Sequence, residues 1–158
     1  MNQELEQHWT PEESLTQALA GLPLAGLRIL ELGAGTGSMT RALLRSGVAH
    51  IESWEIDPSL PAVDDPRVAW KIKDIARLSW ESLAGLTVAA IPPYEMLGHI
   101  VDALSKSCAK DAVLMIPARK LPMFLSLGFR VLSVIEGAAF DPPASGRHVL
   151  VAKGLLAY

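Results

Sequence analysis

Residues 27–40 read LRILELGAGTGSMT, and the rest of the chain is organised around them. Their first half is a short apolar run that ends at glycines, which predicts a buried parallel strand. The segment 39–45 places apolar side chains at helical spacing and predicts a helix. Between the two lie Gly33, Gly35 and Gly37, where a side chain would keep the backbone away from a ligand. A strand that enters a helix through such a turn indicates a nucleotide-binding site.

The residue type before the turn separates two kinds of nucleotide site. Glu31 ends the predicted strand, and its carboxylate would repel the diphosphate of a dinucleotide such as NAD. Dinucleotide sites also prefer Gly-x-Gly-x-x-Gly, whereas the third glycine falls one residue earlier here. The pattern Glu31-x-Gly33-Ala34-Gly35-x-Gly37 resembles the first motif of class I S-adenosylmethionine (SAM) methyltransferases. The resemblance implies that the turn binds SAM and that Glu31 lies near the positively charged methionine half of the cofactor.

A second acid stands where the next predicted strand ends. Residues 50–58 read as a strand that ends in acids, and Glu55 lies 22 residues after Gly33. A carboxylate at this distance is placed to accept hydrogen bonds from ribose hydroxyls; the alternative is that Glu55 begins a turn before Pro58. Glu55-Ile56-Asp57-Pro58 resembles the second methyltransferase motif. The resemblance implies that Glu55 binds the ribose and that Ile56 packs on the adenine.

A third acid follows the third predicted strand. Residues 67–73 alternate as a strand, and Asp74 and Ile75 come next. This resembles the third motif, in which the carboxylate accepts from the adenine amino group and the next backbone amide donates to a ring nitrogen. Asp is also a common turn residue, so a simple turn at Asp74 is the alternative.

The fourth predicted strand, residues 86–91, runs directly into Pro92, Pro93 and Tyr94. This resembles the motif Asn/Asp/Ser-Pro-Pro-Tyr/Phe of methyltransferases that act on adenine N6, cytosine N4 or a glutamine amide. In that family the first residue and a proline carbonyl accept hydrogen bonds from the target amino group, and the aromatic ring stacks on the target. The chemistry needs acceptors and alignment more than a strong base. A proline-stiffened turn is the structural alternative.

Ile91 departs from this motif, because an isoleucine side chain can accept no hydrogen bond. Three explanations stay open. The target needs only one acceptor, or a polar group such as Asp141 is supplied from elsewhere, or the chain binds SAM without transferring a methyl group.

The N-terminal helix carries a further resemblance. Residues 10–20 begin with Thr10 as the predicted N-cap and Pro11 at the first helical position, with acids in the first turn. The run His8-Trp9-Thr10-Pro11 also resembles the Phe-x-Thr-Pro motif of adenine-N6 DNA methyltransferases. The resemblance implies that Thr10 and Pro11 lie against the methionine end of the cofactor.

A loop near the C-terminus contains Phe140-Asp141-Pro142, which loosely resembles the aromatic-x-Pro element of adenine-N6 enzymes. The resemblance implies that Phe140 and Tyr94 sandwich a base that is flipped out for the reaction. Simple packing of an aromatic ring before a proline-rich loop is the alternative.

The remaining segments complete an α/β fold. We predict a Rossmann-like, doubly wound, seven-stranded and mostly parallel sheet, with an antiparallel C-terminal hairpin that places the seventh strand between the fifth and the sixth. The segment 59–66 is a predicted loop, and Cys108 is a predicted core residue. The other predicted elements are helices at 96–109 and 121–127 and strands at 112–117, 129–136 and 148–153.

Length and composition bound the function. A chain of 158 residues predicts one domain, 1–158, without a separate target-recognition domain. No apolar run approaches the roughly 20 residues of a membrane span, and the acidic N-terminus shows no secretory signal. One cysteine excludes an internal disulfide, and four scattered histidines predict no metal site. We therefore expect a cytoplasmic protein without metal or membrane partners.

The net charge of −3 is unevenly distributed. Residues 1–102 carry seven Lys and Arg against fourteen Asp and Glu, whereas residues 103–158 carry seven against three. The basic C-terminal third is suited to a polyanion such as a nucleic acid; the alternative is a set of solvated loop and helix-end charges.

Together the resemblances cover residues 8–153 and look most like the adenine-N6 group. They imply a SAM-dependent enzyme, with S-adenosylhomocysteine as product, that methylates a planar amino nitrogen, and we expect adenine N6 in DNA or RNA. A second hypothesis is a methyltransferase of a protein amide or small molecule. A third, motivated by Ile91, is a non-catalytic SAM-binding subunit. A chain this short would take its specificity from a partner subunit or a structured RNA, or be unspecific.

Overall fold

The computed structural model describes residues 10–107, 111–140, 144 and 146–155. Seven strands form one sheet across this part of the chain: β1 Arg28–Leu32, β2 His50–Glu55, β3 Val68–Ile72, β4 Thr87–Ala90, β5 Ala112–Pro117, β6 Arg130–Glu136 and β7 Arg147–Lys153. Their order is β3-β2-β1-β4-β5-β7-β6. Neighbours among β1 to β5 are parallel, whereas β7 is antiparallel to both β5 and β6. The predicted sheet and its C-terminal hairpin are therefore confirmed.

Within the described residues, four α-helices cover the two faces of the sheet: α1 Glu12–Leu19, α2 Ser38–Arg45, α3 Leu97–Lys106 and α4 Leu121–Ser126. Leu30 and Leu32 of β1 point to one face and pack with α3 and α4, whereas Ile29 points to the other and packs with α1 and α2. All residues of β4 and β5 are buried, as expected for strands that are covered on both faces.

The topology positions the site at one edge of the sheet. From β1 the chain proceeds to β2 and β3 on one side, and it returns to β4 and β5 on the other side of β1. The carboxyl ends of β1 and β4 therefore form the point where the strand order reverses, and ligands of doubly wound folds bind in the crevice at such a point. Leu32 and Ala90, the last residues of these two strands, lie opposite each other.

Element boundaries differ from the predictions by small amounts. The third strand is shorter at each end than the predicted 67–73, and a 3-10 turn, Tyr94–Met96, precedes the predicted helix at 96–109. The segment 59–66 contains no helix or strand, as predicted. Cys108 lies outside the described residues.

The predicted cap of the first helix is wrong by one position. Pro11, not Thr10, is the N-cap, because its carbonyl accepts the first helical hydrogen bond, from the amide of Leu15 at 3.2 Å. The ψ angle of Pro11 is 122°, which keeps this residue extended, so Glu12 is the first helical residue. Glu12 forms ion pairs with Arg41 and Arg45 of α2, which join the two helices.

Candidate cofactor and target site

The turn after β1 has the backbone geometry that its glycines predict. Gly33, Gly35 and Gly37 have φ angles of 75°, 56° and 88°, a region that other residues enter only with strain. The amides of Gly33 and Ala34 both donate to the carbonyl oxygen of Trp54, each at 3.0 Å, which fixes the turn to the end of β2.

Gly33 also meets the loop that follows β4. A Cβ atom at Gly33 would lie 3.1 Å from the carbonyl oxygen of Ile91 and 3.4 Å from Cα of Pro92. Glycine is therefore required at this position by close approach as well as by conformation. The contact brings the glycine turn and the proline-tyrosine segment, which are far apart in sequence, against each other.

Gly37 has a structural role at the start of α2. It is the N-cap of α2, is buried, and does not line the cavity described below. A Cβ atom there would lie 2.4 Å from Cγ2 of Val63, so Gly37 allows the loop at 59–66 to pack over the start of α2.

Glu55 lies at the end of β2, beside the turn. Its Oε2 accepts a hydrogen bond from the amide of Gly35 at 2.6 Å, and its Oε1 accepts from the amide of Asp57 at 3.1 Å. Only 5% of Glu55 is exposed, and it lines the cavity. Each carboxylate oxygen has a second lone pair, so the side chain can still accept hydrogen bonds from two hydroxyls.

Asp74, Ile75 and Ile56 line the neighbouring part of the cavity. Oδ1 of Asp74 accepts a hydrogen bond from the amide of Ala76 at 2.9 Å and caps the 3-10 turn Ile75–Arg77. Asp74 therefore forms a turn, as the alternative interpretation of the sequence predicts, and it also lines the cavity. Ile56 is 49% exposed, which leaves an apolar surface suited to a purine ring.

Glu31, which the motif predicts near the cofactor, is not among the residues that line the cavity. It is fully buried, and its Oε1 accepts hydrogen bonds from Oγ1 of Thr40 at 2.5 Å and Oγ of Ser53 at 2.7 Å. Its Oε2 has no partner among the described residues. Burial raises the pKa of Glu31 to about 7, although the two hydroxyls oppose the shift. Glu31 therefore joins β1, β2 and α2 beneath the turn.

Tyr94 lies at the other end of the cavity. It begins the 3-10 turn after Pro93, and its hydroxyl is hydrogen-bonded to Nδ1 of His148 at the start of β7. Burial raises the pKa of Tyr94, and the nearby Arg119 guanidinium opposes the shift. The ring of His148 also contacts the ring of Phe140, with centroids 4.5 Å apart.

The predicted sandwich of Tyr94 and Phe140 is not the arrangement observed. His148 contacts both rings, with a centroid separation of 5.6 Å from Tyr94, and Phe140 is only 5% exposed. Asp141 and Pro142, the rest of the predicted clamp, lie outside the described residues. Ile91 packs against the apolar core on the α1 and α2 side, so its side chain supplies no polar group.

One cavity of about 1000 Å³ joins the two ends of the site. The predicted site residues that line it are Thr10, Gly33, Ala34, Gly35, Glu55, Ile56, Asp74, Ile75, Pro92, Pro93, Tyr94 and Phe140. Pro11, Glu31 and Gly37 do not line it.

Sequence reasoning missed further residues of the wall, including Trp54, Lys73, Arg119, Arg147 and His148. Lys73 lies over the Trp54 ring, with its Nζ 4.9 Å from the centroid. Arg147 and His148 begin β7, which is antiparallel to its neighbours. The first residues of such a strand lie at the same edge of the sheet as the last residues of the parallel strands. Arg147 and His148 could have been found from that rule, since the hairpin itself was predicted.

The described residues contain no group of three or more His, Cys, Asp or Glu that could hold a metal ion. Among the helices of the described residues, none has both the length and the apolarity to cross a membrane.

The chain is similar in sequence to proteins that are named as methyltransferases. The chain is 36% identical to a ribosomal RNA small subunit methyltransferase A of Thermosynechococcus vestitus, in an alignment of 92% of this chain and 66% of that protein. It is 31% identical to the protein of the same name from Synechococcus sp. (strain JA-3-3Ab), over 89% of this chain and 60% of the relative. The chain therefore spans about 60 to 66% of the length of these relatives. No protein-family model matches it.

A solved structure shows the same fold. The dimethyladenosine transferase from Plasmodium falciparum superposes with a TM-score of 0.75 at 16% identity, over 93% of this chain and 62% of that chain. The chain has the class I methyltransferase fold.

The residues of this site fit SAM at both ends of the nucleoside. Glu55 keeps lone pairs for ribose hydroxyls, and Asp74 and Ile56 offer a polar edge and an apolar face to a purine. Oγ1 of Thr10, which lines the cavity, is buried and has no partner among the described residues, so it offers a hydroxyl to a polar ligand. The turn adds Gly33, Ala34 and Gly35 to the wall of the same cavity.

Proposed function

We propose that this chain binds SAM and methylates the N6 amino group of an adenine in RNA, leaving S-adenosylhomocysteine. The observation that carries the proposal is the contact between Gly33 and the carbonyl of Ile91, because it joins the cofactor turn and the target motif in one cavity. Methyl transfer depends on holding donor and acceptor in line at close range, and such alignment supplies much of the rate enhancement of two-substrate enzymes.

One end of the cavity would bind the cofactor, and the other end would bind the target base. When bound, the cofactor supplies an electrophilic methyl group on a sulfonium centre. Glu55, Asp74 and the glycine turn hold the nucleoside, and Tyr94 offers a ring for the target base to stack on. The backbone carbonyls of Ile91 and Pro92 are the acceptors that orient the target amino group, since the side chain of Ile91 can accept nothing.

Two observations support RNA as the target. The relatives matched over most of the chain are named ribosomal RNA methyltransferases. The cavity wall also carries Arg119 and Arg147, and cationic side chains contribute most of the non-specific affinity for a phosphate backbone. We therefore expect a cytoplasmic protein that acts on RNA, alone or with a partner subunit. The one-domain organisation stays a prediction.

The test is methyl transfer from labelled SAM to purified total RNA, total DNA and total protein. Hydrolysis of the RNA to nucleosides should place the label in N6-methyladenosine or N6,N6-dimethyladenosine. Gly35→Trp, which fills the turn, is the inactive control. Label that enters only protein or small molecules would overturn the proposal in favour of an amide or small-molecule methyltransferase.

A second candidate is a SAM-binding subunit without its own transfer activity. Ile91, which lines the cavity and packs against the apolar core in place of a polar acceptor, favours it. SAM binding by calorimetry, combined with no transfer to any of the three substrates, would select this candidate.

A further inference from the structure

One hydrogen bond joins the target motif to the C-terminal hairpin. The Tyr94 hydroxyl meets Nδ1 of His148 across 54 positions of sequence. His148 is held on both sides by the sheet, because it pairs with Pro117 of β5 and with Ile135 of β6. The hydrogen bond therefore attaches a short 3-10 turn to a rigid strand.

The surroundings of His148 hold the hydrogen-bond partner of the Tyr94 hydroxyl in one place. His148 is buried and packs against Phe140, so its imidazole has little freedom to follow a moving partner. A partly buried tyrosine hydroxyl needs a hydrogen-bond partner, and the described structure provides this one. Whichever group donates, the hydrogen bond fixes the position of the phenol oxygen, and Tyr94 still lines the cavity.

We propose that His148 is a positioning residue of the target site, which holds in place the Tyr94 ring on which the target base stacks. The inference rests on the proposed function. It goes beyond it by assigning a role to a residue that matches none of the sequence motifs. His148 contacts both Tyr94 and Phe140, and its hydrogen bond is to the hydroxyl end of Tyr94, so the base would stack on a face of the Tyr94 ring.

Kinetics distinguish a positioning role from a general structural one. Loss of the Tyr94–His148 hydrogen bond would leave the stacking surface of Tyr94 but would no longer hold the ring in place. We therefore expect kcat to fall more than KM rises. Misplacement by about 1 Å costs up to roughly a hundredfold in rate. We expect His148→Ala to lower kcat for RNA methylation by about ten- to a hundredfold with the SAM dissociation constant unchanged.

Three further variants complete the test. His148→Asn keeps a polar atom near the position of Nδ1 and should restore much of kcat. Tyr94→Phe should lower kcat as His148→Ala does, and the double variant should be little worse than either single one, because both remove the same hydrogen bond. His50→Asn, at the opposite end of the sheet, is the control and should match the wild type. Single-variant effects that multiply, or an unchanged kcat in His148→Ala, would overturn the proposal.

A readout without catalysis separates this inference from the proposed function. The chain has two tyrosines, Tyr94 and Tyr158, so ¹³C-tyrosine labelling gives two ring signals in NMR spectra. In His148→Ala, but not in His50→Asn, the Cζ resonance of Tyr94 should shift and its ring should flip faster. An unchanged Tyr94 signal would reject the positioning role even in an active enzyme. A wild type that transfers no methyl group but shows these changes would reject the RNA methylation proposal alone.

Discussion

The Glu55 carboxylate accepts a hydrogen bond from the backbone amide of Gly35 at 2.6 Å, so the first two cofactor motifs are joined directly. The two residues are 20 positions apart in sequence, and they meet because β1 and β2 are adjacent parallel strands. The carboxylate therefore shapes the glycine turn and also lines the cavity. This double role makes Glu55 the most informative residue for testing the cofactor site.

We expect Glu55→Gln to weaken SAM binding by at least tenfold. The substitution removes the charge and turns an amide N–H group toward one of two backbone N–H donors, and hydrogen bonds to charged groups contribute about 1.5–3 kcal/mol each. Isothermal titration calorimetry with SAM and with S-adenosylhomocysteine measures the effect. Glu81→Gln, at an exposed position, is the matched control. Equal affinities for the two variants would contradict the assignment of Glu55.

Gly33→Ala should destabilise the protein by about 1–3 kcal/mol, because it places a Cβ at positive φ and close to the Ile91 carbonyl. Urea denaturation measures the change, and calorimetry should show weaker SAM binding. Gly98→Ala is the control, since a Cβ on this exposed residue of α3 meets nothing within 4 Å. That substitution should stabilise the fold by about 0.5–1 kcal/mol through helix propensity. A Gly33→Ala variant as stable as the wild type would mean that the turn is not constrained as described.

Features that depend on residues close together in the sequence could be predicted, whereas contacts between residues far apart in the sequence could not. The glycine turn and the motif at 92–94 are local patterns, and their place at strand ends follows from the parallel sheet, so the cavity could be anticipated. The role of His148 could not, because it depends on a side-chain contact across 54 positions. Glu31 was assigned to the cofactor because its motif position is shared with ligand-binding acids. Its actual surroundings, Thr40 and Ser53, are decided by packing between α2 and β2.

Ile91→Asn tests the departure from the target motif. Asn would restore a side-chain acceptor beside Pro92, and we expect faster adenine methylation if transfer is only weakened by the isoleucine. The polar side chain would also enter an apolar cluster, at a cost of about 1–3 kcal/mol in stability. Rates with defined RNA substrates are to be compared with those of Ile91→Val, which changes size without adding an acceptor. A rate that stays at zero in Ile91→Asn would count against an adenine pocket.

The buried carboxyl of Glu31 should make stability depend on pH. Its pKa in the fold, about 7, lies above its ordinary value of 4.5, so the folded protein holds this proton more tightly than the unfolded chain. The free energy of unfolding therefore contains a contribution that is fully present below pH 4.5. It decreases as pH rises through about 7 and is constant above that.

At about 1.4 kcal/mol per pKa unit, the contribution lost is on the order of 3 kcal/mol. Glu31→Gln has no proton to release, and its Oε1 can still accept from Thr40 and Ser53. Between pH 5 and pH 8 the wild type should therefore lose more stability than the variant in urea denaturation. Glu136→Gln, an exposed substitution, should follow the wild type at both pH values. Parallel pH profiles for the wild type and Glu31→Gln would show that Glu31 is ionised in the fold throughout, and that the unpartnered Oε2 is stabilised by a group other than its own proton.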